Sequence, residues 1–79
     1  MTIQILGGGC PNCRRLEENA REAATRLGLE ATVEKVTDSD QILEYGVLRT
    51  PGYAVDGAVQ DSGRVFSVDE IEQKLKNLG

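Results

Sequence analysis

The chain contains no histidine and no tryptophan, and its aromatic side chains are confined to Tyr45, Tyr53 and Phe66. Without histidine, a zinc centre would have to draw on cysteine and carboxylate alone. The two cysteines fall short of the four ligands that a structural zinc site normally takes, so zinc would require a dimer or added carboxylates. No apolar run approaches the ~20 residues of a membrane-spanning helix. Basic charge is not in excess either: 9 Lys and Arg stand against 13 Asp and Glu, a net charge of −4 with the signs interspersed. That balance suits solubility rather than a surface for nucleic acid or anionic membrane. Strand-like residues follow Met1 almost directly, so no signal peptide is expected. The expected compartment is the cytoplasm, where purely structural disulfides are rare. A chain of 79 residues is expected to form one domain, residues 1–79, with a thin and mostly aliphatic core.

What is present is well punctuated. Residues 2–6, TIQIL, alternate Ile3 and Ile5 with polar neighbours, the period of a short strand, and Gly7 to Gly9 break it. From Pro11 the period becomes helical. Leu16, Ala20, Ala23 and Leu27 form one stripe, Glu17–Arg21 and Glu22–Arg26 are i,i+4 pairs assigned to exposed faces, and Gly28 suits the closing position. Residues 30–36 are β-branched enough for a second strand. Asp38 followed by Gln41 resembles a capping box for a short helix that Gly46 ends. Two short β runs flank Asp56-Gly57, the favoured pair for a type I′ hairpin turn. Ser67 and Glu70 form a second capping box, ahead of a stripe of Val68, Ile71, Leu75 and Leu78. The predicted order is β-α-β-α-β-β-α, an α/β fold with a four-stranded mixed sheet flanked by helices.

The two cysteines lie in GGGCPNCRR, residues 7–15. With Pro11 as the first helical residue, Cys10 falls at the mouth of the helix and Cys13 on its first turn. Residues three apart share a helix face, so the two sulfurs can close a disulfide. Unpaired amides and the positive end of the helix dipole favour a thiolate at Cys10. Gly8 and Gly9, lacking side chains, would leave Cys10 open to a bulky protein disulfide; equally, they form a tight strand-to-helix turn. Gly7-x-Gly9 lacks the third glycine and the Lys-Ser/Thr pair of phosphate-binding loops.

Three roles remain open at this point: a redox couple, a soft-metal site for Cu(I) or zinc, and a structural staple. A cytosolic Cys-x-x-Cys beside a βαβ pattern favours the first. Small copper chaperones hold Cu(I) at a comparable place. Their order is β-α-β-β-α-β, however, and they carry a Met where Gly8 stands. A redox sensor or adaptor that uses the disulfide only to alter docking is a further alternative.

With Cys-x-x-Cys heading the first helix and Thr50-Pro51 before the hairpin, the chain resembles the thioredoxin fold. It is most similar to the small redox-active-disulfide proteins, glutaredoxin-sized thioredoxin-like proteins of archaea and bacteria. The supporting stretches are GCPNC, LEENAREAA, EKVTD, YGVLRTP and VDGAVQDSGRV, which together span nearly the whole chain. The resemblance implies a thiol–disulfide oxidoreductase with no bound cofactor and no metal, in which Cys10 attacks a partner disulfide and Cys13 resolves the mixed disulfide. It implies a cis Pro51 packed beside the cysteines. Thr50 would pair its backbone with an extended substrate, and Gly9, Pro11 and Asn12 would complete the substrate-binding surface. The implied partners are protein disulfides and a recycling reductase, met by a monomer.

The chain departs from thioredoxins in having Gly9 before the first cysteine instead of tryptophan, and Pro11-Asn12 instead of Gly-Pro between the two. Gln4 stands six residues before Cys10, where thioredoxins bury a carboxylate that relays a proton to the second cysteine. Cys13 would then need water or another base. Tyr53 is a candidate either to cap the cysteine groove or to pack in the sheet, and Arg49 is expected to be solvated. No charged constellation for glutathione is evident.

Overall fold

Alternation along the first strand organises the molecule. In the computed structural model, which describes residues 1–8 and 11–78, the described residues form β1 (Thr2–Leu6), α1 (Pro11–Arg26), β2 (Thr32–Val36), α2 (Ser39–Glu44), β3 (Gly52–Val55), β4 (Ala58–Ser62) and α3 (Val68–Leu78). The sheet order is β2-β1-β3-β4; β1 runs parallel to β2 and antiparallel to β3, and β3–β4 is an antiparallel hairpin. This is the mixed four-stranded α/β architecture that the sequence pattern predicts.

Ile3 and Ile5 point to one face of β1, and Gln4 and Leu6 to the other. Laterally paired residues share a face, so the register sorts the neighbours. Ile3 lies beside Val33 and Val55, Ile5 beside Lys35 and Tyr53, and Leu6 beside Val36. On the first face Ile3, Ile5, Tyr53 and Val55 meet Leu16, Ala20 and Ala23 of α1 and Ile71 and Leu75 of α3. On the second, Leu6 and Val36 meet Ile42 and Val47. The alanines on the inward stripe of α1 let that helix lie close to its neighbours. Burying each larger aliphatic side chain contributes roughly 1.5–3 kcal/mol.

The chain ends of these elements follow their predicted chemistry. Gly28 has φ 68°, the Leu29 N–H donates to the Ala24 carbonyl and the Gly28 N–H to that of Thr25, a Schellman closure of α1. Asp56 and Gly57 have φ 50° and 87°, as a type I′ turn demands. At α2 the Asp38 carboxylate accepts from the Asp40 N–H, a plain N-cap in place of the expected box with Gln41. At α3 the capping box is reciprocal: the Glu70 N–H donates to Ser67 Oγ, and the Ser67 N–H donates to Glu70 Oε1.

Two further expectations need correction. The second strand begins at Thr32 rather than residue 30, because Leu29 belongs to the Schellman exit and Thr32 is the first residue to reach β1, its N–H donating to the Met1 carbonyl. Leu78 is 49% exposed rather than inward, since it lies a turn beyond Leu75, the last α3 side chain in the core. Among the described residues, no helix is long and apolar enough to cross a membrane.

The α3 cap generates a stability prediction. Glu70 is held down from 4.5 to about 2, first by its bond from the Arg64 guanidinium and then by the Ser67 N–H. A depressed folded pKa stabilises above the unfolded value, and the contribution is lost as pH falls through the folded one. Unfolding free energy should therefore decline as pH drops from about 4.5 towards 2, and Glu70→Gln should flatten that limb in a denaturant titration series. Ser67→Ala at neutral pH should cost about 1 kcal/mol, the usual value of such a cap.

Candidate active site

The loop from β1 to α1 brings a thiol onto the end of the strand. Cys13, on the first turn of α1, is 4% exposed. Gly7 follows β1 and is fastened to β2 by its N–H, which donates to the Val36 carbonyl at 3.0 Å. A Cβ at Gly7 would stand 2.3 Å from Cys13 Sγ and 3.9 Å from the Pro51 Cα. No side chain fits there. Gly7 is thus the point at which Cys13 and Pro51 converge, a close approach that the sequence pattern does not single out. Gly8 by contrast faces open space. Gly9 and Cys10 lie outside the described residues, so the expectations for Cys10 as nucleophile and Gly9 as substrate contact carry no geometry here.

On the opposite wall the Thr50–Pro51 peptide is cis, as the family resemblance implied. Pro51 is buried and Thr50 exposed. The Pro51 carbonyl accepts from the Gly63 N–H at 2.9 Å, which ties the segment to the end of the hairpin. The unusual Gly52 has a packing reason: a Cβ there would be 2.7 Å from Ser62 Cβ and 3.1 Å from the Asp61 carbonyl oxygen. Pro11 and Asn12 are exposed on the opening turn of α1, and Leu48, just before Arg49, is 88% exposed. Arg49 is exposed, as expected.

Tyr53 does not cap the groove. It is 1% exposed, packed edge-on to Phe66 with centroids 5.5 Å apart, and burial pushes its hydroxyl up to about 12. Gln4 is buried as well, but its side chain shares the α2 face with Leu6, and its Oε1 accepts from the Gly57 N–H of the hairpin. It therefore fastens the turn and does not address Cys13.

A cavity of about 210 Å³ opens beside Cys13, lined also by Gly7, Arg14, Glu17, Lys35 and Thr37. The sequence placed Glu17 on an exposed face, paired with Arg21. That ion pair forms at 2.9 Å, yet the Glu17 side chain is only 14% exposed and reaches Lys35 Nζ at 3.2 Å across to β2. Its carboxyl is held below the usual range mainly by the Arg21 hydrogen bond, with Lys35 adding to it against desolvation. An i,i+4 charge pair reads the same from sequence whichever side of the helix it lies on; the available signal was the i,i+4 spacing of Glu17 from Cys13. Among the described residues, no group of three or more Cys, Asp or Glu is placed to hold a metal ion.

The contact at Gly7 can be measured directly. Gly7→Ala forces its methyl onto Cys13 and should destabilise the reduced protein by about 1–3 kcal/mol, as overpacking does. Gly8→Ala, with nothing nearby, should stay within about 0.5 kcal/mol of the parent. Equilibrium urea unfolding of the two variants checks both; equal effects would contradict the packing at Gly7.

Comparison with known proteins agrees with this geometry. Residues 1–76 match the family model described as Thioredoxin domain. The chain is 53% identical over 75 residues to a protein named Thioredoxin from Methanothermobacter thermautotrophicus, covering 95% of this chain and 97% of that one. It is 42% identical over 77 residues to a Thioredoxin from Methanocaldococcus jannaschii, covering 98% and 88% respectively. A buried cysteine on the first turn of α1, a cis proline against the same glycine and a family match across the fold lead to one conclusion: the chain belongs to the thioredoxin-domain family.

Proposed function

We propose that this protein is a thiol–disulfide oxidoreductase that exchanges the Cys10–Cys13 dithiol with disulfides of partner proteins. Membership of the thioredoxin-domain family supports the general class of reaction. The observation that carries the finer reading is the position of Cys13, buried against Gly7 with Pro51 on the other side. In this mechanism the Cys10 thiolate attacks a partner disulfide, giving a mixed disulfide and releasing one partner sulfur. Cys13 then attacks the Cys10 sulfur, closing the internal disulfide and releasing the second. Cys10 precedes the first residue of a 16-residue helix, where the dipole and the orphan amides favour an anionic sulfur.

Burial suits Cys13 to the second step: a sheltered sulfur waits until its target is covalently held nearby, where the effective concentration is high. The partner lies along the exposed Thr50, Pro11 and Asn12, with the buried Pro51 forming the floor. Pairing of the partner's extended backbone with Thr50 is a form of strand addition. The reaction uses no bound cofactor, and a separate reductase restores the dithiol of the monomer in the cytoplasm.

The chemistry is tested by trapping. Cys13→Ser should accumulate covalent complexes with protein partners that dithiothreitol dissolves, whereas Cys10→Ser should accumulate none. Retention of parental disulfide reduction by both variants would sink the reading. Asn12 puts no charge between the cysteines, so equilibration against glutathione should give a potential nearer the thioredoxin value of about −270 mV than the oxidising extreme of about −120 mV. A value above about −180 mV would contradict this.

A further inference from the structure

The resolving step requires the Cys13 proton to leave from a sulfur that is 4% exposed. Gln4, the buried polar side chain of β1, is turned to the other face and committed to Gly57. The cavity beside Cys13 offers a route. At about 210 Å³ it has room for several waters of about 30 Å³ each, and polar groups line its wall. Among its described lining residues, Glu17 is the sole carboxylate; Arg14 and Lys35 are the cations and Thr37 supplies a hydroxyl.

We propose that Glu17 accepts the Cys13 thiol proton through water in this cavity and passes it to solvent. The inference rests on the exchange reaction proposed above. Glu17 follows Cys13 by one helical turn, on the same side of α1. Its Oε2 is held by Arg21 at 2.9 Å and its Oε1 by Lys35 at 3.2 Å, so the carboxylate is fixed between α1 and β2 at the edge of the cavity. Arg14 lines the same cavity, and the cations bonded to the carboxylate are Arg21 on α1 and Lys35 on β2. These cations keep it ionised at neutral pH, which suits a relay that hands its proton on rather than a store that retains it.

The step balances. The Cys13 S–H bond breaks, its proton moving through water to Glu17 and on to solvent. The Cys13 thiolate attacks the Cys10 sulfur of the mixed disulfide. The Cys10–Cys13 bond forms as the Cys10–partner bond breaks, and the partner sulfur leaves with the electron pair and is protonated by water. Over the whole reaction the dithiol loses two electrons and the partner disulfide gains them.

The test is single-turnover reduction of a fluorophore-labelled peptide disulfide by the full chain, followed by stopped flow from pH 5 to 9. Glu17→Gln should slow the resolving phase at least about tenfold below pH 7 and converge on the parent as pH rises. That loss is below the ~10²–10⁴-fold typical of a positioned proton acceptor, because cavity water remains. Glu17→Asp, which restores a carboxylate but shortens the reach to Lys35, should recover most of the low-pH rate. A Glu17→Gln profile that coincides with the parent's, or that is lowered equally at every pH, overturns the proposal. So does a Glu17→Asp variant as slow as Glu17→Gln at low pH, which would mark Glu17 as only a pin between α1 and β2. Should Glu17→Gln fail to fold by circular dichroism, Glu17→Ala takes its place in the same series: a loss below pH 7 that closes as pH rises supports the relay, and a profile coincident with the parent's or lowered equally at every pH overturns it. A parent protein that reduces no disulfide overturns the exchange reading together with this one.

Discussion

The packing of Cys13 Sγ on the backbone of Gly7 is the constraint around which the site is arranged. A sulfur this close to a strand end leaves no space for an intervening side chain, so the opening turn of α1 must sit directly on the exit of β1. Several other features support that contact. The Gly7 N–H is anchored to Val36, which fixes the strand exit. Alanines at positions 20, 23 and 24 keep the later turns of α1 thin where they meet the core. Pro51 closes the third side and is itself held by Gly63. Small residues thus appear where backbones approach one another, and larger apolar ones further from the site.

The sorting of β1 into two faces, carried across to β2 by the parallel register, explains why Gln4 and Lys35 have unrelated duties. Gln4 belongs to the Leu6 face, where its amide oxygen accepts the hairpin N–H of Gly57, a part-buried bond of the kind that contributes about 0.5–1.5 kcal/mol. Lys35 belongs to the Ile5 face because the parallel register sets it there. It occupies the edge strand β2, half open to water, where a lysine also discourages pairing with another chain. It lines the Cys13 cavity, and its ammonium reaches Glu17.

Much of this was legible in the sequence because it is local. Asp56-Gly57, Gly28 and the Ser67/Glu70 pair each specify a backbone geometry within a few residues, and each forms as read. Cys13 was legible as a site residue from its spacing to Cys10, and Pro51 from a family likeness. What escaped notice depends on which neighbours a residue meets in three dimensions. Gly7 reads like the two glycines after it; only the arrival of Cys13 makes it different. Tyr53 had two plausible destinations until the pairing with Ile5 placed it in the core. Leu78 continues a periodic stripe beyond the surface that the stripe was built to cover.

Glu17 is the most informative of these misreadings. Fastening α1 to β2 does not need an ion pair: the Glu17 side chain is mostly buried, but its Lys35 partner is 60% exposed, and pairs screened by water in this way are worth about 0–1 kcal/mol. An aliphatic side chain at the same inward position would bury apolar surface without desolvating a charge. The stability of the fold therefore gives no strong reason for an acid there, on the cysteine side of the helix and one turn from the thiol. The proposed exchange mechanism does: a buried thiol that ionises in the resolving step needs a polar outlet, and the Glu17 carboxylate, flanked by two cations that keep it charged, would supply one.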